Sequence, residues 1–382
     1  LSRELLNKKV KDLKPSGIRR FFDLIIGRED VISLGVGEPD FSVPWRIREE
    51  MIYSLEKGIT SYTSNYGLLE LREAIADYYK KFGVEASYEN VLITTGVSEG
   101  IDLALRALIN PGEAVIVPEP SYVSYKPLAY LAGGKVIVVS TLPDFKLRYE
   151  DIVRYKNENV KALMINYPNN PTGVSYKRKE LEEIADGAIE IDCLVISDEI
   201  YAELSYSFKH VSIASLNGME ERTIVLNGFS KGFAMTGMRI GYAIAPDEIL
   251  DGLLKIHQYS MLCAPVTAQI GALEALRNGE VELERMRSEY IRRRNFFVKK
   301  LREVFDVVMP DGAFYVFPDV SSTNMNGEEF AEKLLMEKNV AVVPGNSFGE
   351  CGENNVRCAY AVTMEKLRIA VERIQDFVNS IK

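Results

Sequence analysis

From about Ile59 to Ala245 the chain alternates between two patterns of apolar spacing. Leu68, Leu71, Ile75, Tyr78 and Phe82 recur every three or four residues, and so do Ile101, Leu105 and Leu108. Both patterns predict helices, the second stopped by Asn110-Pro111-Gly112. Between such stretches lie runs that are apolar almost throughout, at 91–94, 114–117, 136–139, 162–165, 194–197, 223–226 and 240–243. A strand with one wet face alternates apolar with polar residues. Uninterrupted runs separated by helices therefore predict an α/β fold with a mainly parallel seven-stranded sheet, covered on both faces.

Beyond Pro246 the pattern changes. Helical periodicity at 269–277 and 281–301 leads into short strands expected at 307–308, 314–317, 341–343 and 356–359. An amphipathic helix through Leu367, Ala370, Ile374 and Phe377 follows. This is an α+β pattern, and 382 residues exceed what one core usually serves. The expected division is a large domain at 36–280 and a smaller one at 281–382. Residues 1–35 are expected to join the small domain or to lie across the cleft as a lid. The run Arg292-Arg293-Arg294 falls in a helical pattern among glutamates and predicts a solvated helix face.

Composition narrows the function. With 47% apolar and 26% charged residues the chain reads as globular, and its net charge of −9 argues against nucleic acid as a partner. No apolar run approaches membrane-spanning length and no signal peptide is recognisable. Cys193, Cys263, Cys351 and Cys358 form no CxxC pair, which predicts no metal site and a reducing, cytoplasmic location. There are only two histidines, His210 and His257, far apart and in unlike surroundings, which argues against a Ser–His–Asp triad or an HExxH zinc site. Proton transfer near neutral pH then falls to a tuned lysine, carboxylate or tyrosine.

The candidate chemistry lies after the predicted strands, where open α/β sheets bind ligands. Run 91–94 is followed by Thr95-Gly96-Val97-Ser98, which opens a helix and offers backbone N–H groups and a hydroxyl to a phosphate. Pro120-Ser121-Tyr122 follows run 114–117, so Tyr122 could stack on a ring. Run 162–165 leads to Asn166-Tyr167-Pro168-Asn169-Asn170-Pro171-Thr172-Gly173, a loop fixed by prolines that holds amides rigidly. Asp198-Glu199-Ile200-Tyr201 follows run 194–197; an aspartate at a buried strand end needs a cationic partner or strong donors. Last, Ser230-Lys231 follows run 223–226, with Arg239 eight positions on. Such an amine can form a Schiff base with an aldehyde, while Ser230 and Arg239 supply phosphate donors.

Together with Gly35-Val36-Gly37-Glu38-Pro39-Asp40-Phe41, Tyr62-Thr63 and Val356-Arg357, these pieces resemble the fold type I pyridoxal-phosphate enzymes. The nearest pattern is the aspartate/aromatic (class I/II) aminotransferase family, and the likeness runs from Gly35 to Arg357. The resemblance implies that Lys231 binds pyridoxal 5'-phosphate as a Schiff base and that Asp198 pairs with the ring nitrogen. It implies Tyr201 and Asn170 on the ring oxygen and Tyr122 stacked on the ring. Gly96, Val97, Ser98, Ser230 and Arg239 would cradle the phosphate, with Tyr62 reaching in from the second subunit of a homodimer. Arg357, helped by the Gly37 backbone, would hold the substrate carboxylate. Two departures stand out: Met238 replaces a usual aromatic, and Ser98 replaces the lysine of some aspartate-preferring relatives. The expected activity is transfer of an amino group from an aromatic or large neutral L-amino acid, with aspartate also accepted, to a 2-oxo acid such as 2-oxoglutarate. The alternative is a carbon–sulfur β-lyase on the same scaffold.

Overall fold

Alternate residues of each apolar run point to opposite faces of one sheet, and both faces are covered. In the computed structural model, which describes residues 5–15, 17, 28 and 30–381, a short β1 (Ile32–Ser33) precedes that sheet. The sheet comprises β2 (Val91–Thr94), β3 (Ala114–Glu119), β4 (Lys135–Ser140), β5 (Val160–Asn166), β6 (Leu194–Asp198), β7 (Thr223–Gly228) and β8 (Gly241–Ile244). Its order is β2-β8-β7-β6-β5-β3-β4, with β8 alone antiparallel to its neighbours. The expected seven-stranded, mainly parallel sheet is present, each run moved by one or two residues at most.

Val115, Val117, Ala162 and Met164 pack on one face with Ile101, Leu105, Leu250 and Leu253. Ala114, Ile116, Leu163 and Ile165 pack on the other with Leu181 and Ile184. Each such aliphatic side chain contributes about 1.5–3 kcal/mol on burial, so a polar residue inside a run would be costly from either side. Since β2, β3, β5, β6 and β7 run the same way, the segments that follow them emerge at one edge. This is the step that brings distant polar residues together.

The later strands are β9 (Tyr315–Val316), β10 (Val340–Ala341), β11 (Val343–Pro344) and β12 (Val356–Ala359). β12 lies between β11 and β9, antiparallel to both. β1 pairs in parallel with β10, and Leu34 N–H continues the contact to the Ala341 carbonyl at 2.8 Å. Ile32 and Leu34 accordingly share a core with Leu367, Ala370, Ile374 and Phe377 of the helix Met364–Ile381. Much of segment 1–35 lies outside the described residues. Of the rest, the helix Lys8–Asp12 carries Asp12, which accepts from the Tyr130 hydroxyl at 3.1 Å.

Two expectations are corrected. Residues 307–308 form no strand; pairing there reduces to a single bridge between Asp306 and Asp319, and Pro310 follows closely. A two-residue apolar run beside a proline has too few free N–H groups to extend a ladder. Nor is the triple-arginine run a solvated face. Arg292 stays exposed on Glu289, but Arg293 is buried against both oxygens of Asp40, at 2.8 and 2.9 Å. Arg294 is buried with Nη1 on the Pro310 carbonyl at 2.9 Å. The partners are remote in sequence, so local spacing gave no sign of them.

Candidate active site

A cavity of about 510 Å³ opens at the carboxyl edge of the sheet. Gly37, Val97, Ser98, Tyr122, Asn170, Asp198, Tyr201, Ser230, Lys231, Arg239 and Arg357, all expected from the sequence, line it. Gly96 lies just behind, beneath Arg239. Tyr62 does not join them within one chain; it is 82% exposed.

Lys231 follows β7 and donates from Nζ to the Gly37 carbonyl at 2.6 Å. Burial is the main cause that lowers its pKa to about 8, helped by the Arg357 and Arg239 charges and opposed by Glu38 and Asp198. At the end of β6, Asp198 accepts from the Tyr125 hydroxyl at 2.6 Å and from the Ile200 N–H at 3.2 Å. Burial nonetheless pushes its pKa up to about 6, with the Glu199 charge adding to the rise; the two donors and Lys231 pull the other way. The carboxylate is therefore held in place but under-compensated, a site for a further cation.

Arg357 on β12 is buried beneath the cavity floor. Its Nη1 donates to Asn170 Oδ1 at 2.9 Å and its Nη2 to the Gly35 carbonyl at 2.6 Å, while Nε is buried with no partner among the described residues. The guanidinium also lies 4.6 Å from the Tyr315 ring centre. Tyr315 in turn shares a 2.9 Å hydrogen bond between hydroxyls with Tyr201. Burial raises the pKa of both phenols, so each stays a protonated donor near neutral pH.

The phosphate end is built by backbone geometry. Gly96 has φ +77°, and a methyl there would lie 2.6 Å from Arg239 Nη2, so this position requires glycine. Arg239 is itself left-handed, at φ 53°, a strained conformation for a residue with a Cβ. Gly96 caps the helix Val97–Leu108, and no carbonyl of the described residues accepts from the N–H of Val97 or Ser98. Ser98 and Ser230 line the same cavity.

This donor set has what a phosphorylated pyridine aldehyde and a carboxylate require: an amine of lowered pKa, a carboxylate lacking its cation, a glycine-floored anion cradle, and a guanidinium with an unused N–H. Sequence reasoning gave no role of their own to three contributors, although it named the loop that Asn166 opens. Asn166 ends β5, accepts from the Asn170 N–H at 2.9 Å and donates to the Asp198 carbonyl at 2.8 Å. Its place at a strand end was the available signal. Tyr125 and Tyr315 read as core aromatics and gave none.

Comparison with known proteins identifies the family. The family described as aminotransferase class I and II matches residues 29–374. An aspartate aminotransferase of Pyrococcus abyssi is 46% identical over 378 residues, covering 97% of each chain. An aromatic-amino-acid aminotransferase of Thermococcus litoralis is 43% identical and covers 99% of each. The crystal structure of an aromatic aminotransferase from Pyrococcus horikoshii superposes with a TM-score of 0.90 at 43% identity, over 95% of this chain and 99% of that one. With the family matched over nearly its whole length, the chain belongs to the class I and II aminotransferases.

Proposed function

We propose that the protein binds pyridoxal 5'-phosphate at Lys231 and transfers the amino group of an aromatic or large neutral L-amino acid to a 2-oxo acid such as 2-oxoglutarate. The observation that carries the reading is the joint presence of Lys231, Asp198, the Gly96 cradle and Arg357 around one cavity. The cofactor, when bound, supplies an aldehyde that condenses with amines and a ring that accepts the electrons released at the α-carbon. The chain supplies the rest. Asp198 keeps the ring nitrogen protonated, and Val97, Ser98, Ser230 and Arg239 hold the phosphate. Tyr201 and Asn170 serve the ring oxygen, and Tyr122 covers one ring face. Arg357 fixes the substrate carboxylate through a planar fork, which sets the direction of the α-C–H bond. Lys231, with a pKa of about 8, would take the proton from the α-carbon and deliver it to the aldehyde-derived carbon on the other side of the nitrogen.

The substrate preference rests on the lining. Lys231, Arg239 and Arg357 are its cations, and each has a role in the scheme above. Ile101, Val123, Ile200, Tyr122 and Tyr315 make much of the remainder apolar or aromatic. A distal carboxylate from aspartate finds no further cation in that lining among the described residues, so aspartate is taken as a secondary donor. The chain is further assigned to a homodimer, in which Tyr62 reaches the neighbouring site. Its four free thiols suit a reducing, cytoplasmic setting, and no helix among the described residues is long and apolar enough to cross a membrane. In domain terms, 36–280 is the cofactor-binding unit and 281–382 the smaller one, with the segment before 36 either joining the latter, as Ile32–Ser33 does, or acting as a lid.

The test is an absorbance spectrum of the purified protein with pyridoxal phosphate, repeated after phenylalanine and then after 2-oxoglutarate. The visible band should fall with the first and return with the second. A band that persists while cystathionine yields ammonia and pyruvate would instead identify a β-lyase.

A further inference from the structure

The chain's two histidines are both buried against glutamates one residue beyond a cavity-lining residue. His210 Nε2 meets Glu199, next to Asp198, at 2.9 Å; His257 Nδ1 meets Glu99, next to Ser98, at 2.7 Å. Neither imidazole lines the cavity, and the proposed reaction uses neither.

The second pair bears on the phosphate end. One carboxylate oxygen of Glu99 accepts from His257 Nδ1–H and the other from the Thr95 N–H. Thr95 immediately precedes Gly96, whose φ of +77° starts the cradle. Two further bonds brace this turn: Gly96 N–H to the Thr94 carbonyl at 2.9 Å and Thr94 hydroxyl to the Gly96 carbonyl at 3.0 Å. The helix Val97–Leu108 reaches the turn twice through its backbone, Glu99 and Gly100 N–H donating to the Gly96 carbonyl at 3.2 and 3.4 Å, while the Glu99 side chain is what ties the Thr95 N–H to that helix. A glutamate in the first helical turn reaching back to a preceding N–H is a capping device, but a free carboxylate so close to a phosphate site works against anion binding. His257, on the helix Asp247–Ser260, anchors that carboxylate from behind. It is 0% exposed and its Nε2 is buried without a partner among the described residues. An imidazole with a single polar contact in the core costs more than a leucine would unless that contact matters.

We propose that His257 is a positioning residue for the cofactor phosphate: it holds Glu99, which holds Thr95 and Gly96, so that the Val97 and Ser98 N–H groups meet the phosphate in a fixed geometry. This rests on the pyridoxal-phosphate reading above.

The experiment titrates the full-length chain, freed of cofactor, with pyridoxal phosphate and separately with pyridoxal, which lacks the phosphate. His257→Leu should weaken pyridoxal phosphate roughly tenfold, the worth of one hydrogen bond to a charged group, and leave pyridoxal within about twofold. His257→Asn, whose amide nitrogen falls near the Nδ1 position, should recover most of the loss. Glu99→Gln should show the same phosphate-selective loss and serves if His257→Leu does not fold, judged by circular dichroism. Equal weakening of both ligands, or no rescue by asparagine at matched thermal stability, would overturn the assignment and leave His257 a packing residue. Failure of the unaltered chain to bind pyridoxal phosphate would instead overturn the cofactor reading, and this assignment with it.

Discussion

Arg357 Nη1 donates to Asn170 Oδ1 at 2.9 Å, tying β12 to the loop after β5 across 187 residues of sequence. With Nη2 held by Gly35 and the ring of Tyr315 beneath, the guanidinium is fixed before any substrate arrives. Lysine at this position would keep the charge and lose the fork. Arg357→Lys should therefore lower kcat/KM for phenylalanine by roughly 10²-fold, while reaction with phenethylamine, which has no carboxylate, changes little. Steady-state kinetics on the two amines decides it.

Lys231→Ala should reduce turnover at least ~10⁴-fold, because both the covalent anchor and the proton carrier go. Folding should survive: the one hydrogen bond lost is that to the Gly37 carbonyl. Single-turnover absorbance and a thermal melt within a few degrees of the parent would agree with this; residual turnover at a substantial rate would remove Lys231 from its role.

The lowered pKa of Lys231, about 8, sets a pH window for capture of the aldehyde. Only the neutral amine attacks, so the rate at which the free chain takes up pyridoxal phosphate should level off above about 8. Below that it should fall about tenfold per pH unit. A stopped-flow series between pH 6 and 9.5 tests this, and a midpoint near the ordinary lysine value would contradict the burial argument.

Asp198 gives a prediction of opposite sign. Its pKa is raised from 3.8 to about 6, so the folded chain holds the proton more tightly than the unfolded one. The corresponding stabilisation is complete below 3.8 and is lost as pH rises through about 6, leaving a buried charge at neutral pH. Asp198→Asn should therefore stabilise the cofactor-free protein at pH 7.5 by on the order of 2–3 kcal/mol, with the gain vanishing toward pH 4. The same change should weaken pyridoxal phosphate binding, a trade of stability for function. Denaturant titrations at both pH values measure the first part and cofactor titration the second.

Tyr62 offers a test of shared sites. If it serves the neighbouring subunit, Lys231→Ala and Tyr62→Ala homodimers should each be impaired, the first completely. Subunit exchange between them should create one intact site per hybrid, restoring about a quarter of full activity in an equal mixture. No recovery after exchange, verified by native mass spectrometry, would confine each site to one chain.

The sheet was legible because its strands are buried on both faces: an apolar run such as 114–117 has little alternative once helices flank it. The polar residues that interrupt the pattern just after such runs, Asp198, Asn170 and Lys231, were legible for the same reason. What stayed hidden depends on contacts between remote segments. Tyr125 looks like any core tyrosine until its hydroxyl is seen 2.6 Å from Asp198. Arg293 looks like any charge on a helix until Asp40 is found against it, 253 positions away. Tyr62 is the converse: its expected role was clear from the resemblance, yet a single chain leaves it in solvent.

The parallel pairing of Ile32–Ser33 with Val340–Ala341 has a consequence for how the protein is made. On a ribosome the residues that follow Ser33, including Gly35 and Gly37, emerge well before the strand that fixes them, which is synthesised about 300 residues later. At ordinary elongation rates that interval is roughly 15–60 s. The central sheet, complete by Ile244, can form during this wait. The carbonyls that receive Lys231 and Arg357 are set only once residues 340–341 have been made, so a nascent chain acquires its scaffold well before its chemistry.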